Sequence, residues 1–122
     1  CSTAARTRQT LAPLLQALGP SAPAVSLEKD LYLASEDTLL ERLRALPEKI
    51  RTVLLIGHND GIGSLAGALA SRGPAEALAD LRGKYPTGAL ATLQLPRDRW
   101  SDLAPAACEL VAFVKPRDFD RD

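Results

Sequence analysis

Methionine is absent from the 122 residues, histidine occurs once, cysteine twice, and aromatic residues make up only 4%. Each scarcity excludes something. Two cysteines, Cys1 and Cys108, make no disulfide framework, so a reducing cytoplasm is the expected compartment. One histidine and two separated cysteines cannot supply a structural zinc site, and neither a metal nor another cofactor is expected. Fifteen acidic residues balance fifteen basic ones, which argues against a nucleic-acid partner held by overall basicity. No apolar run approaches the roughly 20 residues that cross a bilayer, and no membrane association is expected. No basic segment leads into an apolar stretch near Cys1 in the manner of a secretory signal. A chain that opens on Cys1, lacks methionine and begins on a helix start is expected to have lost its beginning. Nothing in the sequence marks an oligomeric state.

With 46% hydrophobic and 25% charged residues, the chain has the composition of a single soluble globular domain spanning 1–122. Ser2 or Thr3 is placed to cap a helix with Leu11, Leu14, Leu15 and Leu18 on one face, stopped by Gly19-Pro20. Residues 24–27 read as a short strand. A second helix starts after Ser35, with Glu36 and Asp37 in its first turn and Leu39, Leu40, Leu43 and Leu46 as its stripe, closed by Pro47. The run 53–56 ends in Gly57 and reads as a strand buried on both faces, the habit of a parallel sheet. A helix over 62–70 and another over 74–81 follow, then strands over 89–95 and 108–114. This order predicts an α/β fold with a mostly parallel sheet and an antiparallel end. The strand that should precede the opening helix is missing, which would leave one side of the sheet exposed.

Ligands of open α/β sheets sit beyond the carboxyl ends of the strands, where His58 stands, one residue past the buried run. The plain alternative is a histidine that ends a strand and hydrogen-bonds a neighbouring loop. Arg6 and Arg8 form a second candidate. Basic residues in the first turns of a helix oppose its dipole, at about 0.3–1 kcal/mol each, unless an anion reverses the sign. Their plain alternative is a solvated surface. A third pattern, Gly57-His-Asn-Asp-Gly61-Ile-Gly63, imitates a dinucleotide fingerprint. It lies mid-chain, Asp80 falls within a helix, and Tyr85 has no lysine four residues on, so dinucleotide binding is a minor alternative.

Taken in order, several segments resemble the histidine phosphatase superfamily, and within it the phosphohistidine phosphatase SixA branch. Cys1-Ser2-Thr3-Ala4-Ala5-Arg6-Thr7-Arg8-Gln9-Thr10 is similar to the family's Ser-Pro…Arg-x-x-Gln-Thr segment, with Thr3 where proline is usual. Asp30-Leu31-Tyr32-Leu33-Ala34 matches a Leu-Tyr-x-Ala landmark, and Gly57-His58-Asn59-Asp60-Gly61 matches Gly-His-Asn-Pro-Gly with Asp60 replacing proline. Pro86-Thr87-Gly88-Ala89-Leu90-Ala91, Trp100 and Phe113-Val114-Lys115-Pro116-Arg117 complete the series.

The resemblance implies a three-layer sandwich of the phosphoglycerate mutase type, N-terminally incomplete and lacking its first strand, helix and strand. It also implies metal-independent hydrolysis of phosphohistidine on a protein, or of a small phosphorylated substrate, through a covalent phosphohistidine intermediate. By analogy Arg6 and His58 are catalytic, and Arg6, His58 and Asn59 bind the phosphoryl group. Converging cations suit phosphoryl transfer, which asks the protein mainly to position the group and neutralise its charge. The family's nucleophile sits in an Arg-His-Gly or Arg-His-Ala motif that these residues lack, so it is expected upstream of Cys1. A phosphate-binding remnant without turnover and a small-molecule phosphomonoesterase are the alternatives.

Overall fold

Ser35 shows how directly local chemistry sets an element. Its Oγ accepts the N–H of Thr38 at 3.3 Å and opens helix α2, Glu36–Arg44. Glu36 and Asp37 stand at the positive end of α2, and Arg42 and Arg44 at the negative end. Leu39 and Leu43, one turn apart, pack against Leu65 and Leu69, also one turn apart, on helix α3, Asn59–Leu69. Leu31, Leu103 and Cys108 close this core. A computed structural model describes residues 1–119.

The remaining elements are helix α1 (Ala5–Leu18), strand β1 (Ala70–Arg72), helix α4 (Ala75–Gly83), and strands β2 (Leu90–Gln94) and β3 (Cys108–Val114). The strands form one sheet in the order β1-β3-β2. Central β3 runs parallel to β1 and antiparallel to β2. Leu90 faces Val114 and Gln94 faces Glu109, with a shift of register after Thr92 that leaves Val111 unpaired. Leu110 has no exposed surface and joins Ala66, Ala70 and Leu81 in a second cluster. Among the described residues, no helix is long and apolar enough to cross a membrane.

The α/β class stands, with corrections. The sheet is mixed and three-stranded, so neither a mostly parallel sheet nor the three layers of a sandwich appear among the described residues. Residues 51–57 and 24–27 carry no strand. Their apolar content implied burial, but a strand also needs a neighbouring backbone to form a ladder with. Here Ser2 N–H donates to the Ile56 carbonyl at 3.0 Å, and Glu28 N–H donates to the Cys1 carbonyl at 2.8 Å. Ser2 and Glu28 pair as an isolated parallel bridge. Without a longer ladder Val25, Leu27, Val53 and Leu54 remain exposed.

Two further differences are local. The helix expected to run to Ala70 stops at Leu69, because Ala70 turns extended (φ −73°, ψ 118°) and starts β1, a strand of three residues too short to show a period. Helix α1 ends at Gly19 as expected (φ 53°), yet its leucine stripe is only half-buried and Leu18 is exposed. It begins at Ala5, with Ala4 at the cap position and no side-chain cap, so neither Ser2 nor Thr3 caps it as expected.

Candidate active site

Ser2 is fully buried, and its hydroxyl gathers two elements. Ala4 N–H donates to Ser2 Oγ at 3.3 Å, just before α1 begins. The same oxygen lies 3.0 Å from His58 Nε2. Thr7, buried one turn into α1, donates its hydroxyl to the carbonyls of Ser2 (2.8 Å) and Ala4 (2.9 Å) and so fixes the start of that helix.

His58 occupies the position preceding α3, with extended backbone (φ −104°, ψ 146°), and its ring does not cap the helix. The ring is instead held from two sides. Ser2 bonds Nε2, and Tyr32 meets the ring edge-on, with centroids 5.2 Å apart and planes at 76°. The Ser2–His58 contact therefore links the segment leading into α1 to the residue preceding α3, and neither helix has a side-chain cap. Their unpaired N–H groups and dipoles make this end of the molecule favourable to an anion.

Arg6 and Arg8 lie in the first turn of α1, both exposed, with no acidic residue in that turn. Neither guanidinium enters an ion pair among the described residues. Arg6 is thus four residues from the serine that touches His58. Asn59 is exposed in the first turn of α3 and donates from Nδ2 to Thr87 Oγ1 at 2.9 Å, which ties this rim to the loop before β2. Asp60, expected in a tight turn after His58, is instead an exposed residue of the first turn of α3.

The glycines that imitate a dinucleotide fingerprint are used for internal packing. A Cβ on Gly61 would collide with the Ala34 carbonyl oxygen, and one on Gly63 would come within 2.8 Å of Tyr85 Cβ. They let α3 approach its neighbours, and the dinucleotide alternative loses its motif. Among the described residues no group of three or more histidine, cysteine or acidic side chains could hold a metal ion. Sequence reasoning read Ser2 as a cap and as part of the family's serine-containing segment, and missed its contact with His58, as it missed the packing of Tyr32 on that ring. No local pattern announces a contact across 56 positions.

No protein-family model matches the chain. It is 38% identical over 119 residues to an uncharacterized protein of Mycobacterium tuberculosis, with 96% of this chain and 72% of that protein aligned. An uncharacterized protein of Mycobacterium leprae is 36% identical over 118 residues, covering 96% and 70% respectively. Among solved structures the chain is similar to the candidate phosphohistidine phosphatase SixA of Nakamurella multipartitia. That match has 35% identity and a TM-score of 0.77, over 95% of this chain and 68% of that one. The similarity is high enough in sequence and in fold to decide the matter: the chain belongs to the family of that SixA protein, within the histidine phosphatase superfamily.

Proposed function

We propose that this chain carries the phosphoryl-binding half of a metal-independent phosphohistidine phosphatase that acts on phosphorylated protein in the cytoplasm. The observation that carries the reading is the contact between Ser2 and His58, which ties the segment leading into α1, four residues before Arg6, to the imidazole before α3. In this reading Arg6 grips two phosphoryl oxygens with its planar fork, His58 donates to a third when protonated, and Asn59 completes the seat.

The reaction needs a nucleophile that His58, the one histidine of the sequence, does not supply in this role. It is proposed to be a histidine preceding Cys1, on a strand that would add to the sheet and complete a three-layer, mostly parallel frame. Its ring nitrogen attacks phosphorus, the substrate's P–N bond breaks, and the freed imidazole departs neutral with a proton on its other nitrogen. Water then cleaves the phosphoenzyme to phosphate. Neutral imidazole leaves a phosphoramidate easily, which lowers the demand for a general acid and fits the exposed position of Asp60.

The test uses the complete gene product and a protein phosphorylated on histidine, with a chelator present. Turnover is expected to persist, and to fall about 10²- to 10³-fold in His58→Ala and in Arg6→Ala. Metal dependence, or an unchanged rate in His58→Ala, overturns the reading. The single histidine also favours a second reading, a phosphate-binding remnant without turnover. Phosphate binding with no hydrolysis by the complete protein would establish it. Faster hydrolysis of a sugar phosphate than of a phosphoramidate would instead identify a phosphomonoesterase.

A further inference from the structure

A cleft of about 460 Å³ opens beside the candidate site, between the end of α4, the loop before β2 and the turn after β3. Asp80, Lys84, Thr87, Lys115 and Arg117 line it, together with the proline rings of Pro86 and Pro116. Thr87 is the shared wall, since its hydroxyl receives the Asn59 amide at 2.9 Å, one residue from His58. Register explains why these groups meet. Leu90 faces Val114, so the start of β2 and the end of β3 lie at the same end of the sheet.

The charges in the cleft do not cancel. Lys115 is buried, lies 5.7 Å from the centre of the Phe113 ring, and bonds Asp80 through Nζ. That bond, and more weakly the charges of Lys115 and Arg117, holds the Asp80 carboxyl below its ordinary range, so it stays ionised and neutralises Lys115. Asp118, an exposed acid of the turn after β3 that is not part of the cleft lining, accepts the Lys115 backbone N–H at 2.8 Å. It offsets one positive charge nearby, and the lining itself keeps a positive excess. Lys84 and Arg117 remain, both exposed and in no ion pair among the described residues. A cleft lined by two exposed cations and two proline rings suits an anion on a short apolar stem, whose methylenes can meet the rings while its carboxylate meets the cations.

We infer that this cleft is a second subsite, which binds an aspartate or glutamate side chain of the protein substrate next to its phosphohistidine. The inference rests on the proposed phosphatase activity for the identity of the first group, but not for the cleft itself. Its volume lies within the range of ordinary ligand sites, and it accommodates one acidic side chain with its flanking backbone.

Two measurements on the complete protein test it. In the first, phosphohistidine peptides with acidic neighbours are compared with the same peptides carrying alanines. Acidic neighbours are expected to lower KM about tenfold at low salt with little change in kcat. The preference should shrink at high salt and fall to twofold or less in a Lys84→Ala, Arg117→Ala variant. In the second, an unphosphorylated glutamate-rich peptide is titrated while backbone amide resonances are followed. Shifts are expected at Lys84, Thr87 and Arg117 in the wild type but not in the double variant.

Equal KM values for both peptides with normal turnover overturn the subsite and leave the phosphatase reading standing. No turnover of any phosphohistidine, with the glutamate peptide still shifting those amides, overturns the activity and keeps the subsite. Shifts produced there by inorganic phosphate and not by the glutamate peptide overturn it as a carboxylate site.

Discussion

Ser2 is a polar side chain with no exposed surface, and its surroundings account for it completely: a backbone N–H on one side and an imidazole nitrogen on the other. If Nε2 of His58 is unprotonated, the hydroxyl donates to it; if protonated, the hydroxyl accepts. Either way the ring is oriented by a group that does not reach solvent, with Tyr32 setting its plane. Ser2→Ala removes that partner and leaves Nε2 to find another. A lost buried hydrogen bond is worth about 1–3 kcal/mol, so kcat/KM of the complete enzyme is expected to fall at least about fivefold. Ser2→Thr, which keeps the hydroxyl, should lose less. Steady-state kinetics beside thermal unfolding checks this, and an unchanged kcat/KM in Ser2→Ala would remove Ser2 from the site.

At the scale of elements, α3 follows directly on the histidine and packs closely on its neighbours. Its small residues have different work to do. Gly61 meets the Ala34 carbonyl and the Leu39 side chain, whereas Gly67 has nothing within 4 Å of a Cβ. The two glycines therefore predict opposite outcomes in one helix. Gly61→Ala should destabilise by about 1–3 kcal/mol through overpacking, and Gly67→Ala should stabilise by about 0.5–1 kcal/mol through helix propensity. Urea unfolding of both variants measures the contrast; two shifts of the same sign would contradict the packing described for α3. Helix α2 was legible in the sequence because cap, charge order and leucine spacing agreed before any tertiary contact entered. The short β1 was illegible, since three residues beside β3 acquire strand geometry only from their partner.

At the scale of the molecule, the segment that pairs with Ser2 is tied to α2 by one ion pair. Arg42 donates from Nε and Nη2 to the two carboxylate oxygens of Glu28, at 2.5 and 2.7 Å. This forked bond, helped by the Ser26 hydroxyl against a smaller opposing effect of burial, holds the Glu28 carboxyl below its ordinary value of 4.5. Folding therefore depresses this group. Its contribution to stability is present above about pH 4.5, where the unfolded carboxyl is already ionised, and is lost as the pH falls through the folded value. Partial exposure of both side chains limits its size. Arg42→Ala is expected to destabilise by about 0.5–1 kcal/mol at pH 7. The gap to wild type should narrow as urea titrations move from about pH 5 to pH 3. A gap that stays constant over that window would mean that the pair is not what ties the segment down.

The order of residues alone determined the class of fold, three of the four α-helices with their apolar faces, and His58 as the polar residue that follows the apolar run 53–56. These follow from local periodicity, capping and turn chemistry, which act within a few positions. Tertiary structure decided which apolar segments become strands, because a ladder needs repeated bonds to a second backbone: 53–56 receives a single bond, from Ser2 N–H at Ile56, and forms no strand, while 70–72 pairs with β3. It also decided that Ser2 bonds His58, because a hydrogen bond depends on proximity in space, and only the folded chain brings positions 56 apart to 3.0 Å.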